Sequence, residues 1–341
     1  MREAVVDGIV LEGAVGASGA VAMSDMRWGI LGAAKFARDF MGPALMLAPG
    51  GHVAALATSD PGKAEPFRAF APALRVHGSY EALLADPDVE AVYIPLPNPL
   101  HVEWSLKAMQ AGKHVLCEKP IAMRADDFDA LIAARDAASV LAAEAFMIVH
   151  HPQWQRARQL LAEGAIGRLR RIDGAFSYNN RDTANIRNQA AMGGGGLRDI
   201  GVYVVGGARF ATNLEPTEVQ ARFEWENGVD AYAAISARFG DADYVNFTSI
   251  RMHPRQEITF HGEAGVLRLP VPYNARVFGE ARLELHRGIE TITERWPAVN
   301  HYELQAAAFN RAVREGVSYP CPLEFSRGTQ VAIDAAFASA A

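Results

Sequence analysis

Short apolar runs alternate with amphipathic runs over the first part of the chain. Strands are predicted at 28–31, 53–57, 89–96, 114–117 and 141–147, and helices at 34–47, 63–70, 80–85, 100–110 and 126–138. Gly42-Pro43 interrupts the first helical run, so a kink or break is expected there. Alternation of this kind, with short connections, is typical of an α/β fold with a doubly wound parallel sheet and right-handed crossovers.

The pattern changes near residue 148. A helix at 152–163 and a strand at 171–178 precede a polar loop and a glycine-rich run. Two-residue alternation then predicts strands at 218–226, 231–239, 244–251, 257–261, 266–269 and 281–286, before helices at 302–314 and 326–338. Such strands suit an open, mostly antiparallel sheet with one packed face and one face available to a partner. The sequence therefore predicts two domains, at 26–147 and 148–341, of which the second is an α+β domain.

The segment 1–25 follows neither pattern. It is rich in Ala, Gly and Val, with Glu3, Asp7 and Glu12 scattered through it. A secretory signal would need a basic start and an uninterrupted apolar core. We interpret 1–25 as a disordered extension or a misassigned start, with Met26 as the functional beginning.

Composition narrows the class of protein. Of the 341 residues, 50% are hydrophobic and 21% are charged, and the formal net charge is -6, which is ordinary for a soluble globular protein. Nucleic acid is not expected as a partner because no basic stripe is visible. A membrane span is not expected either, because no apolar run reaches roughly 18 residues. The only cysteines, Cys117 and Cys321, give no disulfide framework and suit the reducing cytoplasm.

Two motifs carry candidate chemistry. Glu118-Lys119-Pro120 closes an apolar run and places an amine at the carboxyl end of a parallel strand, where open α/β sheets bind ligands. The run GGGGLRDIGVY places Asp199 and Tyr203 four residues apart on one helix face, after a flexible glycine loop. A lysine, a carboxylate and a phenol in one cleft can transfer protons. The structural alternatives are an ion pair of Lys119 with Glu118, a helix cap at Asp199 and a packed ring at Tyr203.

The first strand–helix turn is a candidate dinucleotide site. The run GAAKFA places Gly32, Ala34, Lys35 and Phe36 where a helix N-terminus holds a pyrophosphate. Alanines replace the second and third glycines of the G-x-G-x-x-G pattern, so an ordinary strand–helix turn is the alternative.

The residues after the second strand indicate whether the protein prefers NAD or NADP. Enzymes that use NAD carry a carboxylate there for the ribose 2′-hydroxyl, whereas this chain carries Thr58 and Ser59, with Lys63 close behind. Two hydroxyls and a cation suit a 2′-phosphate, so NADP is predicted as the preferred cofactor and NAD as the alternative. Asp60 is the argument for NAD.

The run PLPNPLH follows the third strand and must leave the sheet, because prolines cannot continue a strand ladder. Within it, Pro97, Asn98 and His101 are candidates for contact with the cofactor or its ribose. Their alternative roles are those of a cap and first-turn polar residues of the next helix.

These motifs, in this order and spacing, resemble those of the Gfo/Idh/MocA oxidoreductase family. The similarity runs from Met26 to near the C-terminus, and E-K-P and G-G-G-x-L-x-D-x-G-x-Y are its specific elements. The tyrosine form is most similar to glucose–fructose oxidoreductase, dimeric dihydrodiol dehydrogenase and NADP-dependent xylose dehydrogenase. The resemblance implies a Rossmann domain and then an α/β domain whose open sheet often mediates dimers. We therefore expect a homodimer or homotetramer.

The resemblance also implies roles for single residues. Lys119 would be the catalytic lysine near substrate and nicotinamide, and Glu118 would lie beside the cofactor. Tyr203 would be the acid/base, while Asp199 would orient the substrate or the proton relay. Arg187 resembles a family arginine that lies near the substrate pocket.

We therefore predict an NAD(P)-dependent oxidoreductase that moves hydride between the nicotinamide and a carbinol or carbonyl carbon of a sugar, sugar derivative or cyclic diol. A nearby Lys119 ammonium would favour the phenolate of Tyr203. An NAD-dependent glycosidase and a nucleotide-sensing protein without turnover are the alternatives.

No metal is predicted, because a zinc site needs three or four convergent ligands and the adjacent His150 and His151 cannot both face inward. Those histidines are the next candidates for the base.

Overall fold

Six parallel strands build the first sheet of the computed structural model, which describes residues 25–340. The strands lie in the order β3-β2-β1-β4-β5-β6, which is the order of a Rossmann sheet. Their bounds are β1 (Met26–Leu31), β2 (Gly51–Ala57), β3 (Arg75–His77), β4 (Ala91–Ile94), β5 (His114–Cys117) and β6 (Ala142–Glu144). The predicted doubly wound parallel sheet is confirmed. Its winding reverses between β1 and β4, and ligands bind beyond the carboxyl ends of strands at such a point.

The central strands are apolar on both faces because helices cover both sides of the sheet. Ile30 packs into one hydrophobic cluster and its neighbour Leu31 into another. The covering α-helices are α1 (Gly42–Leu47), α2 (Tyr80–Leu84), α3 (His101–Gln110) and α4 (Asp127–Ala138). A π-helical segment, Ala37–Met41, runs directly into α1. The expected break is therefore a change of helix type, with Pro43 in the first turn of α1, where a missing N–H is tolerated.

One local prediction in this half was wrong, and one strand was missed. The predicted helix at 63–70 is replaced by two short 3₁₀ segments, Pro61–Lys63 and Glu65–Ala69, because Pro66 lies inside the predicted run and cannot continue a helix that began before it. Strand β3 was not predicted, because its three residues are half-buried or exposed and carry no apolar run.

The second sheet has eight strands in the order β14-β13-β12-β11-β7-β10-β9-β8. The pair β7 and β10 is parallel and the other neighbouring pairs are antiparallel, which confirms a mostly antiparallel sheet. The strands are β7 (Leu169–Asn179), β8 (Pro216–Glu226), β9 (Val229–Phe239), β10 (Ala242–Ser249), β11 (Arg251–Gly262), β12 (Val266–Leu269), β13 (Ala281–Arg287) and β14 (Glu290–Trp296). Strand β14 was not predicted, because most of its residues are exposed.

Helices pack on the inner face of the second sheet and return to the first sheet. They are α5 (Pro152–Ala162), α6 (Val202–Thr212), α7 (His301–Glu315) and α8 (Leu323–Ser339). Helix α6 is nearly all buried, and its glycines let aromatic rings approach closely: a Cβ at Gly207 would lie 2.5 Å from the ring of Trp154. Helix α7 binds the first sheet, where Trp28 Nε1 donates to Asn310 Oδ1 at 3.0 Å. One core cluster therefore joins both sheets.

The prediction for 1–25 lies outside the described residues, apart from Asp25. The first described strand begins at Met26, whose side chain is fully buried. Within residues 25–340, no helix is long and apolar enough to cross a membrane.

Candidate functional site

A cavity of about 540 Å³ lies between the carboxyl edge of the first sheet and the second sheet. The loops after β1, β4 and β5 form one wall, while β7, the glycine loop and α6 form the other. The predicted site residues that line it are Ala34, Lys35, Phe36, Asn98, His101, Glu118, Lys119, Arg187, Asp199 and Tyr203. The predicted residues outside its lining are Gly32, Thr58, Ser59, Lys63 and Pro97.

Lys119 and Asp199 form an ion pair across the cavity. Lys119 Nζ donates to Asp199 Oδ1 at 3.0 Å and to the Asp199 carbonyl oxygen at 2.7 Å. Both side chains are largely buried. The structural alternative, an ion pair between Lys119 and Glu118, does not occur among the ion pairs of residues 25–340. Instead, Glu118 accepts a hydrogen bond of 2.6 Å from the Tyr93 hydroxyl, and burial raises the pKa of the Glu118 carboxyl.

Asp199 has two further partners, both on its other carboxylate oxygen. Tyr178 donates to Oδ2 at 2.7 Å, and Arg187 Nε lies 2.9 Å from the same atom. Burial alone would raise the pKa of Asp199, but the positive charges of Arg187 and Lys119 outweigh it and lower that pKa well below its usual range. Asp199 is therefore an ionised anchor with no capacity to act as a base near neutral pH.

Tyr203 faces the cavity from the first turn of α6. Its ring packs against Phe146 and Phe176, with centroids 5.8 and 5.7 Å away. Its hydroxyl lies 3.5 Å from Met147 Sδ, and Lys119 Nζ is 5.3 Å from the ring centroid. Burial raises the pKa of Tyr203 well above its ordinary value. Lys119 is paired with Asp199, and burial favours the neutral phenol of Tyr203 over the phenolate.

The glycine loop brings these side chains together because only glycine fits there. Gly195 has φ +117°, and a Cβ at this position would overlap the carboxylate of Asp230. A Cβ at Gly194 would lie 2.5 Å from the Arg187 carbonyl oxygen. The buried Asp230 accepts from the backbone N–H of Leu197 at 2.6 Å. That bond ties β9 to the π-helical segment Leu197–Gly201, in which Asp199 lies.

The first strand–helix turn has the geometry of a dinucleotide cradle. Gly32 has φ +101°, a conformation that favours glycine, and a Cβ there would lie 2.9 Å from Leu96 Cδ2. The helix begins near Lys35, which forms an ion pair with Asp39. Phe36 stacks on Phe40 with a centroid distance of 5.2 Å. The chain here can present backbone N–H groups to a pyrophosphate.

The turn after β2 leaves a hydroxyl and a cation exposed. Asp60 Oδ1 accepts from the Gly62 backbone N–H at 2.9 Å, so this carboxylate stabilises the turn. Thr58 is buried, and its hydroxyl oxygen accepts from the Asp60 backbone N–H at 3.2 Å. Ser59 and Lys63 are exposed, an arrangement compatible with a 2′-phosphate.

Asn98 and His101 bind backbone rather than capping a helix. Asn98 Nδ2 donates to the Gly193 carbonyl oxygen at 3.1 Å, which ties the loop after β4 to the glycine loop. His101 is fully buried, with its ring nitrogens 2.6 and 2.8 Å from the carbonyl oxygens of Leu96 and Pro120. Pro97 precedes the 3₁₀ segment that opens at Asn98. These contacts fix the loops around Lys119.

His150 and His151, the reserve candidates for the base, do not line the cavity. His150 Nε2 lies 3.1 Å from the Tyr319 hydroxyl, and His151 Nδ1 accepts from the Gln153 backbone N–H. Burial lowers the pKa of His150 to about 3 and that of His151 to about 4. In this arrangement neither histidine contacts the cavity that holds Lys119, Asp199 and Tyr203. Within residues 25–340, no group of three or more His, Cys, Asp or Glu residues could hold a metal ion.

The Rossmann sheet, with a cavity at its carboxyl edge that holds Lys119, Asp199 and Tyr203, is typical of the class of NAD(P)-dependent oxidoreductases. Residues 26–146 match the model of the oxidoreductase family with an NAD-binding Rossmann fold, and residues 154–268 match the GFO/IDH/MocA C-terminal domain. The chain belongs to the Gfo/Idh/MocA oxidoreductase family, as its motifs predict.

Similar proteins include reductases and dehydrogenases. An uncharacterized oxidoreductase of Rhizobium meliloti is 36% identical over 92% of this chain and 96% of its own length. D-xylose 1-dehydrogenase (NADP(+)) 2 of Haloferax volcanii is 31% identical over 92% of this chain and 97% of its own. The crystal structure of a 3-ketoreductase from Actinomadura kijaniata with NADP and TDP-benzene has a TM-score of 0.85 at 29% identity. That match covers 93% of this chain and 98% of the other.

Proposed function

We propose that this protein uses NADP(H) to interconvert a carbonyl and a carbinol carbon of a sugar, sugar derivative or cyclic diol. The observation that carries the proposal is the phenol of Tyr203 beside the Lys119–Asp199 ion pair, in a cavity at the carboxyl edge of a Rossmann sheet. NADP is favoured by the exposed Ser59 and Lys63 and by the commitment of Asp60 to its own turn.

In the direction of reduction, bound NADPH would supply a hydride to the carbonyl carbon of the substrate. Tyr203 donates its phenolic proton to the carbonyl oxygen, which becomes the product hydroxyl, and the tyrosine regains a proton from solvent. Burial keeps this phenol protonated at neutral pH, so the proton is present to be donated, although a general acid is most efficient when its pKa lies near the operating pH. In oxidation the same group must accept the hydroxyl proton.

Lys119 holds the substrate oxygen in place. An ammonium group has three N–H donors, and Asp199 takes two of them, which leaves one for the reacting oxygen. A positive charge at this oxygen stabilises the negative charge that develops on it during hydride transfer. Asp199 keeps Lys119 in position, and Tyr178 and Arg187 keep Asp199 in position.

The test is a panel of ketosugars, aldoses, polyols and dihydrodiols, each incubated with NADPH or NADP while the absorbance of reduced nicotinamide is followed. We expect net consumption or formation of NADPH that matches product, with NADP(H) preferred over NAD(H). Cleavage of glycosides with no net change in the cofactor would indicate the glycosidase instead. Tight cofactor binding with no turnover on any substrate would indicate a nucleotide sensor.

A further inference from the structure

Three exposed apolar side chains surround the mouth of the cavity. Phe40, Ile186 and Val277 are 37%, 37% and 63% exposed, and all three line the cavity. Phe40 lies in the π-helical segment Ala37–Met41, Ile186 in a 3₁₀ segment after β7 and Val277 in the loop between β12 and β13. Exposed apolar groups that converge on one pocket mark a surface that binds an apolar group. We name these three residues the rim.

Apolar side chains continue inward from the rim. Phe36 stacks on Phe40 and meets Tyr302 edge to face, with centroids 5.2 and 5.4 Å apart. At the inner end, Met147 and Phe176 pack against Tyr203. A ligand that reaches from the phenol to the mouth can therefore contact apolar side chains at both ends of the cavity.

The cationic side chains of the cavity are already paired. Lys119 and Arg187 bind Asp199, and Lys35 binds Asp39. Among the described lining residues, no lysine or arginine lacks a carboxylate partner. The three rim side chains themselves carry neither charge nor hydrogen-bond donors, so a phosphate or carboxylate held against them would lose its hydration without new hydrogen bonds, which is costly.

We infer that the substrate carries an uncharged apolar substituent, an alkyl or aryl group, that extends from the reacting carbon to the rim. The inference rests on the proposed function, because Tyr203 and Lys119 locate the reacting carbon. The rim thus selects among sugar-like substrates by the substituent that is attached to the sugar ring. Sugar phosphates and nucleotide sugars are disfavoured.

Binding can test this without turnover. Calorimetry on the protein saturated with NADPH, which cannot oxidise a carbinol, would compare methyl β-D-glucopyranoside, phenyl β-D-glucopyranoside and glucose 6-phosphate. Burying one phenyl ring at the rim should tighten binding at least about tenfold over the methyl glucoside, and the phosphate should bind more weakly than either. Ile186→Ser and Val277→Ser should each reduce the preference for phenyl at least about threefold.

Matched controls lie elsewhere on the surface. Ile289 and Val331 are exposed aliphatic residues outside the cavity lining, so Ile289→Ser and Val331→Ser should keep the full preference. Equal affinities for the two glucosides, undetectable binding of the phenyl glucoside or tighter binding of glucose 6-phosphate would overturn the inference. So would rim variants that change only the sedimentation coefficient, because the rim would then contact a second copy. Any of these results, together with normal turnover of an unsubstituted sugar, would leave the proposed function intact.

Discussion

The Tyr178 hydroxyl donates a hydrogen bond of 2.7 Å to the carboxylate of Asp199, on the oxygen that Arg187 also contacts. Lys119 binds the other oxygen of the same carboxylate. Tyr178 contacts no group that we assign to proton or hydride transfer, and it acts through Asp199. It is therefore a positioning residue at the end of β7.

Tyr178→Phe should lower kcat by about tenfold or more, because a hydrogen bond to a charged group is worth about 1.5–3 kcal/mol. The Kd for NADP should stay within about twofold, since no cofactor contact is removed. Stopped-flow rates and cofactor titration would measure both effects. Tyr244→Phe is the control, because the Tyr244 hydroxyl is buried and has no partner among the described residues. Equal losses in the two variants would reduce Tyr178 to a packing role.

Tyr203→Phe should lower the rate of hydride transfer by about 10²–10⁴-fold, the usual contribution of general acid–base catalysis. The ring and its packing are kept, so cofactor affinity should hardly change. Pre-steady-state kinetics at saturating cofactor would measure the step. Tyr273→Phe removes a hydroxyl from a neighbouring ring 5.9 Å away and should be close to wild type. A Tyr203→Phe rate above about a tenth of wild type would remove the tyrosine from the chemistry.

Lys63→Ala should weaken NADP binding by about 1–2 kcal/mol, the scale of one charge-assisted hydrogen bond, and leave NAD binding nearly unchanged. The reason is that Lys63 is exposed just after the turn that follows β2. Fluorescence titration with both cofactors would give the two affinities. Lys107→Ala, at a surface cation paired with Glu103, is the control. An equal loss for NAD and NADP would show that Lys63 does not contact the 2′-phosphate.

Asp230 should make stability depend on pH. Burial raises its pKa from 3.8 to about 6, although backbone N–H groups oppose the shift. The folded state then binds the proton more tightly than the unfolded state, so this group contributes less stability as pH rises from about 4 to about 7. Asp230→Asn removes the titratable carboxyl and with it this pH-dependent contribution to the free energy of unfolding. The unfolding free energy of the variant relative to wild type should rise by about 2 kcal/mol over this range. Urea titrations at each pH would measure it, and a flat or falling difference would contradict the assignment.

The outer face of the second sheet is the predicted surface for a symmetric dimer. Val245 on β10 is exposed, and Tyr232 stacks on Phe247 nearby with centroids 5.9 Å apart. Val245→Glu would place a charge on this face and should shift the protein towards monomer in sedimentation experiments. Val317→Glu, at an exposed residue between α7 and α8, should leave the distribution unchanged. A wild-type protein that sediments as a monomer at micromolar concentration would contradict the predicted dimer.

The elements with strong local signals were predictable from the sequence. The apolar runs of β1, β4 and β5 identified the parallel sheet, and the glycine run identified the turn into the helix of Asp199 and Tyr203. Strands β3 and β14 were missed because half-exposed edge strands carry no apolar run. Sequence periodicity cannot reveal an element whose side chains mostly face solvent.

The partners of Asp199 were harder to predict. Lys119 and Arg187 were candidates, yet their convergence on one carboxylate joins segments that are distant in the chain. Tyr178 has no motif of its own, and its position at the end of β7 was the only available signal. The raised pKa of Tyr203 likewise depends on the rings packed around it, which only the folded structure brings together.

Two helices that line the cavity carry a π-helical segment near their start, Ala37–Met41 before α1 and Leu197–Gly201 before α6. A π turn takes up about one residue more than an α turn, and each residue rotates the helix by about 100°. Deleting one residue from Leu197–Gly201 would restore a regular helix but swing Asp199 away from Tyr203. The site therefore fixes the length of this segment in residues as well as the identity of Asp199 within it. Insertions and deletions in Leu197–Gly201 are therefore expected to displace Asp199 and abolish activity.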